Sequence, residues 1–319
     1  MTQSDPSPHP PLIIVLNAGS GSGAAADARR IIEEGCAAAQ RDFQIYEVNG
    51  PDQLSSRISA ALDHAKRVKG IVVAAGGDGT INAVAQATLG SGCAFGVLPQ
   101  GTFNFFSRTH GIPPDTAAAL QVLFVEPPRP VQVGLVNDRV FLVNASIGLY
   151  AKLLEDREAF KAQYGRHRWV AFWSALVTIL RGTRTWYLHI AYHGTQRDVR
   201  TQSLFIANNA LQMHQVGVAE ADAPEQGRLA AIAIKPRGTA NLLGLLVRGA
   251  LGQLGDAENV ESFDFESLKV RPMRGTSKVK VATDGEVAWM QAPLHFHVSA
   301  EPLRLVRPDF APELEEARR

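Results

Sequence analysis

From residue 12 to about residue 130, short apolar runs alternate with stretches whose apolar residues recur every three or four positions. "LIIVLN" (12–17) is a continuous apolar run that ends in a glycine-rich turn, and "AAADARRIIEEGCAAAQ" follows with helical spacing. "FQIYEV" reads as a second strand and "DQLSSRISAALDHAKRV" as a second helix. "GIVVAAG" and "AFGVLP" are two more nearly continuous apolar strands, separated by the helix "TINAVAQATL". Continuous apolar strands alternating with amphipathic helices predict a parallel sheet covered on both faces. In such sheets ligands bind beyond the carboxyl ends of the strands. That rule sets residues 17–23, 76–80 and 99–104 along one edge.

After about residue 131 the period changes. "VQVGLVNDRVFLVNAS" reads as a hairpin turning at Asn137-Asp138. "WYLHIAYHGTQRDVRTQSLFIA" reads as another near His193-Gly194, and "KVKVATDGEVAWM" as a third with Asp284-Gly285 at its tip. "RLAAIAIKP", "LHFHVS" and "LRLVRP" add further strands, so an antiparallel β-sandwich is expected here. Two helix-like insertions interrupt it, at 150–181 and 239–254. The expected organisation is a polar, proline-rich disordered tail over 1–11, an α/β domain over 12–130, a sandwich over 131–308 and a polar tail over 309–319. No internal repeat is visible.

The 319 residues allow two domains, and 45% hydrophobic with 20% charged residues is ordinary for a soluble globular chain. The formal charge of +1 offers no one-signed field, and no basic stripe points to nucleic acid. Two cysteines, Cys36 and Cys93, are too few for a disulfide framework and fit a reducing compartment. The first residues lack the basic start and apolar core of a secretory signal. The longest apolar run, "WVAFWSALVTIL" (169–180), is shorter than the roughly 20 residues a bilayer span needs. A cytoplasmic protein is expected.

Candidate chemistry sits in the glycine-rich turns. In "GGDGT", Gly76 and Gly77 permit unusual backbone angles and leave no Cβ in the way, Gly79 follows, and Thr80 can cap the next helix. A helix start behind glycines presents free N–H groups and a positive dipole end, which suit phosphate. Asp78 is out of place beside phosphate unless something mediates. It reads as an organiser acting through Mg²⁺ or water, as a base for a hydroxyl, or as a plain helix cap. "NAGSGSG" (17–23) repeats the arrangement after the first strand but is neither a P-loop nor a dinucleotide fingerprint. "LPQGTFNFFSR" (98–108) offers Thr102 and Asn104 as hydrogen-bonding side chains, with Phe103, Phe105 and Phe106 read as core.

"NAGSGSG", "GGDGT", "LPQGTFN" and the late "DGE" (284–286), in that order, resemble the diacylglycerol kinase catalytic-domain family, which also holds sphingosine and ceramide kinases and is distantly similar to NAD kinases. The resemblance covers residues 12 to about 300. It implies a nucleotide-binding α/β domain, a β-sandwich domain and a cleft between them. It implies ATP on Asn17, Ala18, Gly19, Ser20 and Gly21, on Gly76, Gly77, Asp78, Gly79, Thr80, Ile81 and Asn82, and on Thr102 and Asn104. It makes Glu286 the general base toward a lipid hydroxyl, with Asp78 and ATP-borne Mg²⁺ completing the catalytic set.

The chain also departs from that pattern. Phe105, Gln132 and Gln226 stand where many bacterial members carry acidic residues, so no protein-held metal site is expected at Gln226. The arginine-flanked apolar segment 150–186 and "NLLGLLVRGALGQLG" suit either packing on the sandwich or transient contact with a membrane surface. A peripheral position at the inner membrane surface follows from the second alternative. His295 and His297 share one strand face, but no third metal ligand accompanies them. The leading reading is an ATP-dependent lipid kinase acting on diacylglycerol or a related lipid. The alternatives are a catalytically weak or silent nucleotide- or lipid-binding homologue and an NAD kinase. The acceptor and the oligomeric state are open.

Overall fold

The computed structural model describes residues 9–18, 22–101, 103–149, 151, 185–235, 244–245, 248, 252–255, 257–273 and 277–317. The described residues form two units, 9–131 with 300–317 and 132–299. The insertion expected over 150–181 lies, Ala151 apart, outside them, as does most of the one expected over 239–254 and the start of the expected 1–11 tail.

The first unit runs β1 (Leu12–Asn17), α1 (Ser22–Ala38), β2 (Phe43–Val48), α2 (Leu54–Val68), β3 (Ile71–Gly76), α3 (Asp78–Thr88), β4 (Ala94–Pro99), α4 (Phe105–Thr109), α5 (Thr116–Val125) and β5 (Pro128–Val131). Strands β1 to β4 pair in parallel in the order β2-β1-β3-β4. Every residue of β3 is buried, as a sheet covered on both faces requires. Helix α1 packs with α5 and α2 with α3. The connections are short and the turns stand at the strands' carboxyl ends, as the apolar rhythm predicts.

The second unit runs β6 (Gly134–Val136), β7 (Arg139–Phe141), β8 (Asn144–Gly148), β9 (Trp186–Tyr192), β10 (Thr195–Thr201), β11 (Ser203–Ala207), α6 (Ala210–Val216), β12 (Leu229–Ile234), β13 (Val260–Phe265), β14 (Ser267–Pro272), β15 (Lys278–Thr283), β16 (Glu286–Gln291) and β17 (Leu294–Val298). Two six-stranded antiparallel sheets form, β10-β9-β14-β17-β6-β7 and β13-β12-β11-β8-β15-β16. Their inner faces share one core, with Val136, Leu188, Val270 and Phe296 from the first and Ile147, Ile206, Phe265 and Val281 from the second. That is the expected sandwich. All three hairpin tips fall where expected. His193-Gly194 and Asp284-Gly285 each have two consecutive positive φ angles, the signature of a tight primed turn.

Four expectations need correction. The strand in "LRLVRP" does not join the sandwich: β18 (Leu303–Val306) pairs with β4 and β5 in the first sheet. Residues 312–317 are not a loose polar tail but helix α7 (Pro312–Ala317), which buries Leu314 and ties Glu313 to Arg108 at 2.5 Å. Pro10 and Pro11 are held, since their carbonyls accept from Arg41 and from the Ile71 amide at 2.8 Å. The apparent single hairpin over 186–207 is three strands, and the chain changes sheets at Gln202. There the Thr201 hydroxyl donates to the Ile234 carbonyl at 2.8 Å.

Two side chains set the stability of the units. His110 packs edge-on against Phe106 at 4.8 Å, and burial together with the facing Arg307 pushes its imidazole down to about 3. The unfolded chain therefore binds this proton at a higher pH than the folded one, so stability falls as pH drops from about 6.5 towards 3. The expected loss is up to about 1.4 kcal/mol per pH unit within that window. Urea melts between pH 6.5 and 4 should show this slope in the wild type and a flatter one in His110→Phe. In the second unit, Asp284 accepts from the amides of Leu142, Val143 and Asn144 at 2.7, 2.9 and 2.9 Å. Three charge-assisted bonds make it a structural anchor. Asp284→Ala should cost roughly 2–4 kcal/mol in chemical denaturation, and Asp284→Asn less, because one acceptor oxygen remains.

Candidate functional site

Strand β3 delivers Gly76 and Gly77 to the start of α3, and here the expectation about backbone angles is corrected. Gly77 is extended at φ −80°, ψ 179°, a conformation open to any residue. The glycines serve space instead. A Cβ on Gly76 would fall 2.8 Å from the Thr80 Cβ. A Cβ on Gly101 would fall 2.7 Å from Asn104 Oδ1 and 3.4 Å from both Asp78 Oδ2 and the Gly77 Cα. The turns after β3 and after β4 thus lie side by side, and within each the missing Cβ makes room for a neighbouring side chain, Thr80 beside Gly76 and Asn104 beside Gly101. The Gln100 amide donates to the Gly76 carbonyl at 2.8 Å and extends the ladder between them.

Thr80 is not the helix cap expected of it. Helix α3 begins at Asp78 with Gly77 at the cap position, and no side chain caps it. The first bond of the helix runs from the Ile81 amide to the Gly77 carbonyl at 3.0 Å. The amides of Asp78, Gly79 and Thr80 therefore have no partner within the helix and sit at its positive end. The Thr80 hydroxyl instead accepts from Asn17 Nδ2 at 2.8 Å. That bond draws the end of β1 to the same place. Burial holds the Asp78 carboxyl above the usual carboxylate range, partly offset by the Asn104 amide that donates to it. A partly buried carboxylate that has, among the described residues, one backbone donor and no ion pair is a costly arrangement.

Asn104 is a hub rather than a free side chain. It is 6% exposed and sits in the left-handed region at φ 48°, and its Nδ2 donates inward to the Gly101 carbonyl at 2.9 Å. Only its Oδ1 is without a partner among the described residues. Phe106 is core, as expected, but Phe103 is 53% exposed and stacks parallel on Phe105. Ile81 is fully buried, so its side chain belongs to the core, while Ala18 and Asn82 are half-buried. Gly19, Ser20, Gly21 and Thr102 lie outside the described residues. The sequence reading passed over Gln100, whose amide nitrogen and oxygen are both buried without a partner. A single glutamine in a strand-end turn carries no signal by itself.

In the second unit, Glu286 opens β16, is largely exposed, and pairs with Arg139 at 2.9 Å. Arg139 was also missed, and the register explains its place: it starts β7 just past the Asn137-Asp138 tip. Gln132 donates to Asn208 Oδ1 at 2.7 Å and to the Arg228 carbonyl at 3.0 Å. Gln226 accepts from the Arg228 guanidinium, which also pairs with Asp264. His295 and His297 stack at 4.4 Å. Among the described residues no three metal-ligating side chains converge.

Residues 11–136 match the diacylglycerol kinase catalytic domain. A Klebsiella pneumoniae (strain 342) protein named "Probable lipid kinase YegS-like" is 42% identical over 98 residues, 30% of this chain and 33% of that protein. The diacylglycerol kinase of Bacillus subtilis (strain 168) is 34% identical over 139 residues, 42% of this chain and 45% of that one. The alignments thus span a third to under half of these relatives. A crystal structure of a diacylglycerol kinase from Bacillus anthracis str. Sterne superposes with a TM-score of 0.68 at 18% identity, covering 95% of this chain and 98% of that one. The architecture of both units is therefore that of the kinase structure, and residues 11–136 belong to the diacylglycerol kinase catalytic-domain family.

Proposed function

We propose that the chain is an ATP-dependent lipid kinase that moves the γ-phosphoryl group of ATP onto a hydroxyl of diacylglycerol or a related lipid. One observation carries the reading: the partly buried Asp78 carboxylate stands at the start of a helix that no side chain caps, where the glycine-bearing turns after β3 and β4 meet. The α3 amides bind the phosphate oxygens, and the helix dipole favours their charge. Asn17 and Thr80 brace each other, so the β1 turn and the helix start hold one geometry.

ATP and its Mg²⁺ supply the transferable group and its charge neutralisation when bound. The residues fit them. Asp78 is an oxygen donor of the kind a hard cation prefers, and burial raises its pKa. Asp78 would hold that cation, which would supply charge neutralisation to the phosphates. Glu286 accepts the proton of the attacking hydroxyl, and Arg139 fixes which way that carboxylate points. The oxygen–phosphorus bond forms to the acceptor as the β–γ bridge breaks, and ADP leaves. The names of the relatives support a lipid acceptor. A silent binder is the reading favoured by the neutral side chains at Gln132 and Gln226.

Transfer of labelled γ-phosphate to lipid alcohols in mixed micelles, with NAD as an alternative acceptor, tests the reading. Label on a lipid but not on NAD is expected. ATP binding without transfer to any acceptor would leave the silent binder. Asp78→Asn keeps an acceptor for the Asn104 amide but loses the charge. It should lower transfer by at least about a hundredfold, the scale of removing one charge-stabilising group. The raised pKa means that ionisation of Asp78 costs folded-state stability at neutral pH, so the same variant should melt higher than the wild type. An unchanged rate would remove Asp78 from the site. Glu286→Gln should cut turnover by about 10²-fold or more while leaving ATP affinity intact, measured by calorimetry beside the transfer assay.

A further inference from the structure

The sheet β10-β9-β14-β17-β6-β7 turns one face to the sandwich core and the other outward. Leu188, Ile190, Val199, Leu268, Val270, Leu294 and Phe296 point inward. The alternate residues therefore point outward. On four adjacent strands these are Arg200, His189, Lys269 with Arg271, and His295 with His297. The register aligns them in rows: Asp198 opposes His189 and His189 opposes Arg271, while Lys269 opposes His295. Arg200, Lys269 and Arg271 are exposed.

Elsewhere on this protein several basic side chains meet carboxylates, as in Arg29–Glu33, Arg139–Glu286, Arg228–Asp264 and Lys235–Glu261, while others such as Arg57 and Lys66 form no ion pair among the described residues. On this face, among the described residues, Arg200, Lys269 and Arg271 have no ion pair. Arg200 lies over the Tyr187 ring at 5.7 Å. The one acidic side chain among these rows, Asp198, is taken by His189 at 2.8 Å. Burial, and to a lesser degree the neighbouring His297 and Lys269, hold the His295 imidazole below its ordinary value. Leu135 and Ala191 fill in between the cations and keep the surface low. The patch is about 15 Å wide across four strands.

We infer that this outer sheet face is the surface by which the protein lies on a bilayer containing anionic lipids. The inference rests on the lipid-kinase reading, since an acceptor dissolved in a bilayer requires the enzyme to reach that bilayer. An array of unpaired cations complements a plane of anionic headgroups, and each Lys or Arg held near such a plane adds to the attraction. A protein partner would need a carboxylate pattern matched to the rows, whereas a fluid bilayer supplies mobile charges that adjust to them.

The test is co-sedimentation of the full chain with phosphatidylcholine vesicles, with and without phosphatidylglycerol, at low and high salt. Binding that requires phosphatidylglycerol and weakens with salt is expected. Arg200→Glu/Lys269→Glu/Arg271→Glu should weaken it at least about tenfold. The milder triple glutamine variant should weaken it in the same direction and guards against misfolding of the first. Transfer to a short-chain acceptor dissolved in water should be unchanged in both. Wild-type binding to neutral vesicles alone, or undiminished binding by either folded triple variant, would overturn the inference. A wild type that fails to phosphorylate the soluble acceptor yet binds anionic vesicles through these residues would instead reject the lipid-kinase reading and leave the docking face standing.

Discussion

The structure of the first unit turns on one contact, the backbone-to-backbone meeting of the turns after β3 and β4 around Asp78. A carboxylate withdrawn from water must be paid for. Here the return is modest, a single amide from Asn104. Everything nearby is arranged to keep that geometry. Gly76 leaves room for Thr80, Gly101 leaves room for Asn104, and Asn104 takes a left-handed conformation so that its amide nitrogen can close on Gly101. Asn17 reaches from β1 to Thr80 and thereby fixes a third strand end. A Cβ on Gly76 would fall within 3 Å of Thr80 and one on Gly101 within 3 Å of Asn104, so either substitution would displace the side chain that braces its own turn. The sheet supplies rigidity for all of it, because β1, β3 and β4 are adjacent, parallel and buried.

Much of this was legible in the pattern of residues. Continuous apolar strands between amphipathic helices leave few architectures other than a covered parallel sheet, and such a sheet puts its turns at one edge. Two hairpin tips announce themselves by a residue tolerant of left-handed φ before a glycine, as at Asp284-Gly285 and His193-Gly194. What was not legible has physical reasons. "LRLV" alternates as well as any sandwich strand, and nothing local says that it returns to β4. "VESFDF" and "SLKVRP" carry charges because β13 is an edge strand and β14 has one solvated face, so neither reads as a clean apolar run. The change of sheets at Gln202 depends on hydroxyl and amide groups bonding to distant carbonyls, a long-range property that no window reveals.

The motif "DGE" shows how a sequence can point to the right place and leave the roles undivided. Asp284 and Glu286 are two residues apart on one hairpin, and both are carboxylates. The structure gives them opposite tasks. Asp284 turns inward, and three backbone amides of 142–144 saturate it. Glu286 turns outward to solvent and to Arg139. A carboxylate bound by three backbone amides is committed to holding the chain. One that remains largely exposed keeps lone pairs for an incoming hydroxyl. The division of labour follows from hydrogen-bond partners, which spacing alone cannot supply.

The same reasoning accounts for the side chains that stand where the family resemblance calls for acids. Carboxylates brought together cannot satisfy one another, since both are acceptors, and such a cluster needs a cation. Amides can. Gln132 donates to Asn208 while Asn208 donates back to the Gln132 and Leu142 carbonyls, so the pair closes on itself and on the backbone. Close by in the chain, the Arg228 guanidinium spans Gln226 and Asp264, placing a covalently attached positive charge among the remaining polar groups. The neutral side chains at 132 and 226 are thus each held by hydrogen bonds to neighbouring side chains or backbone.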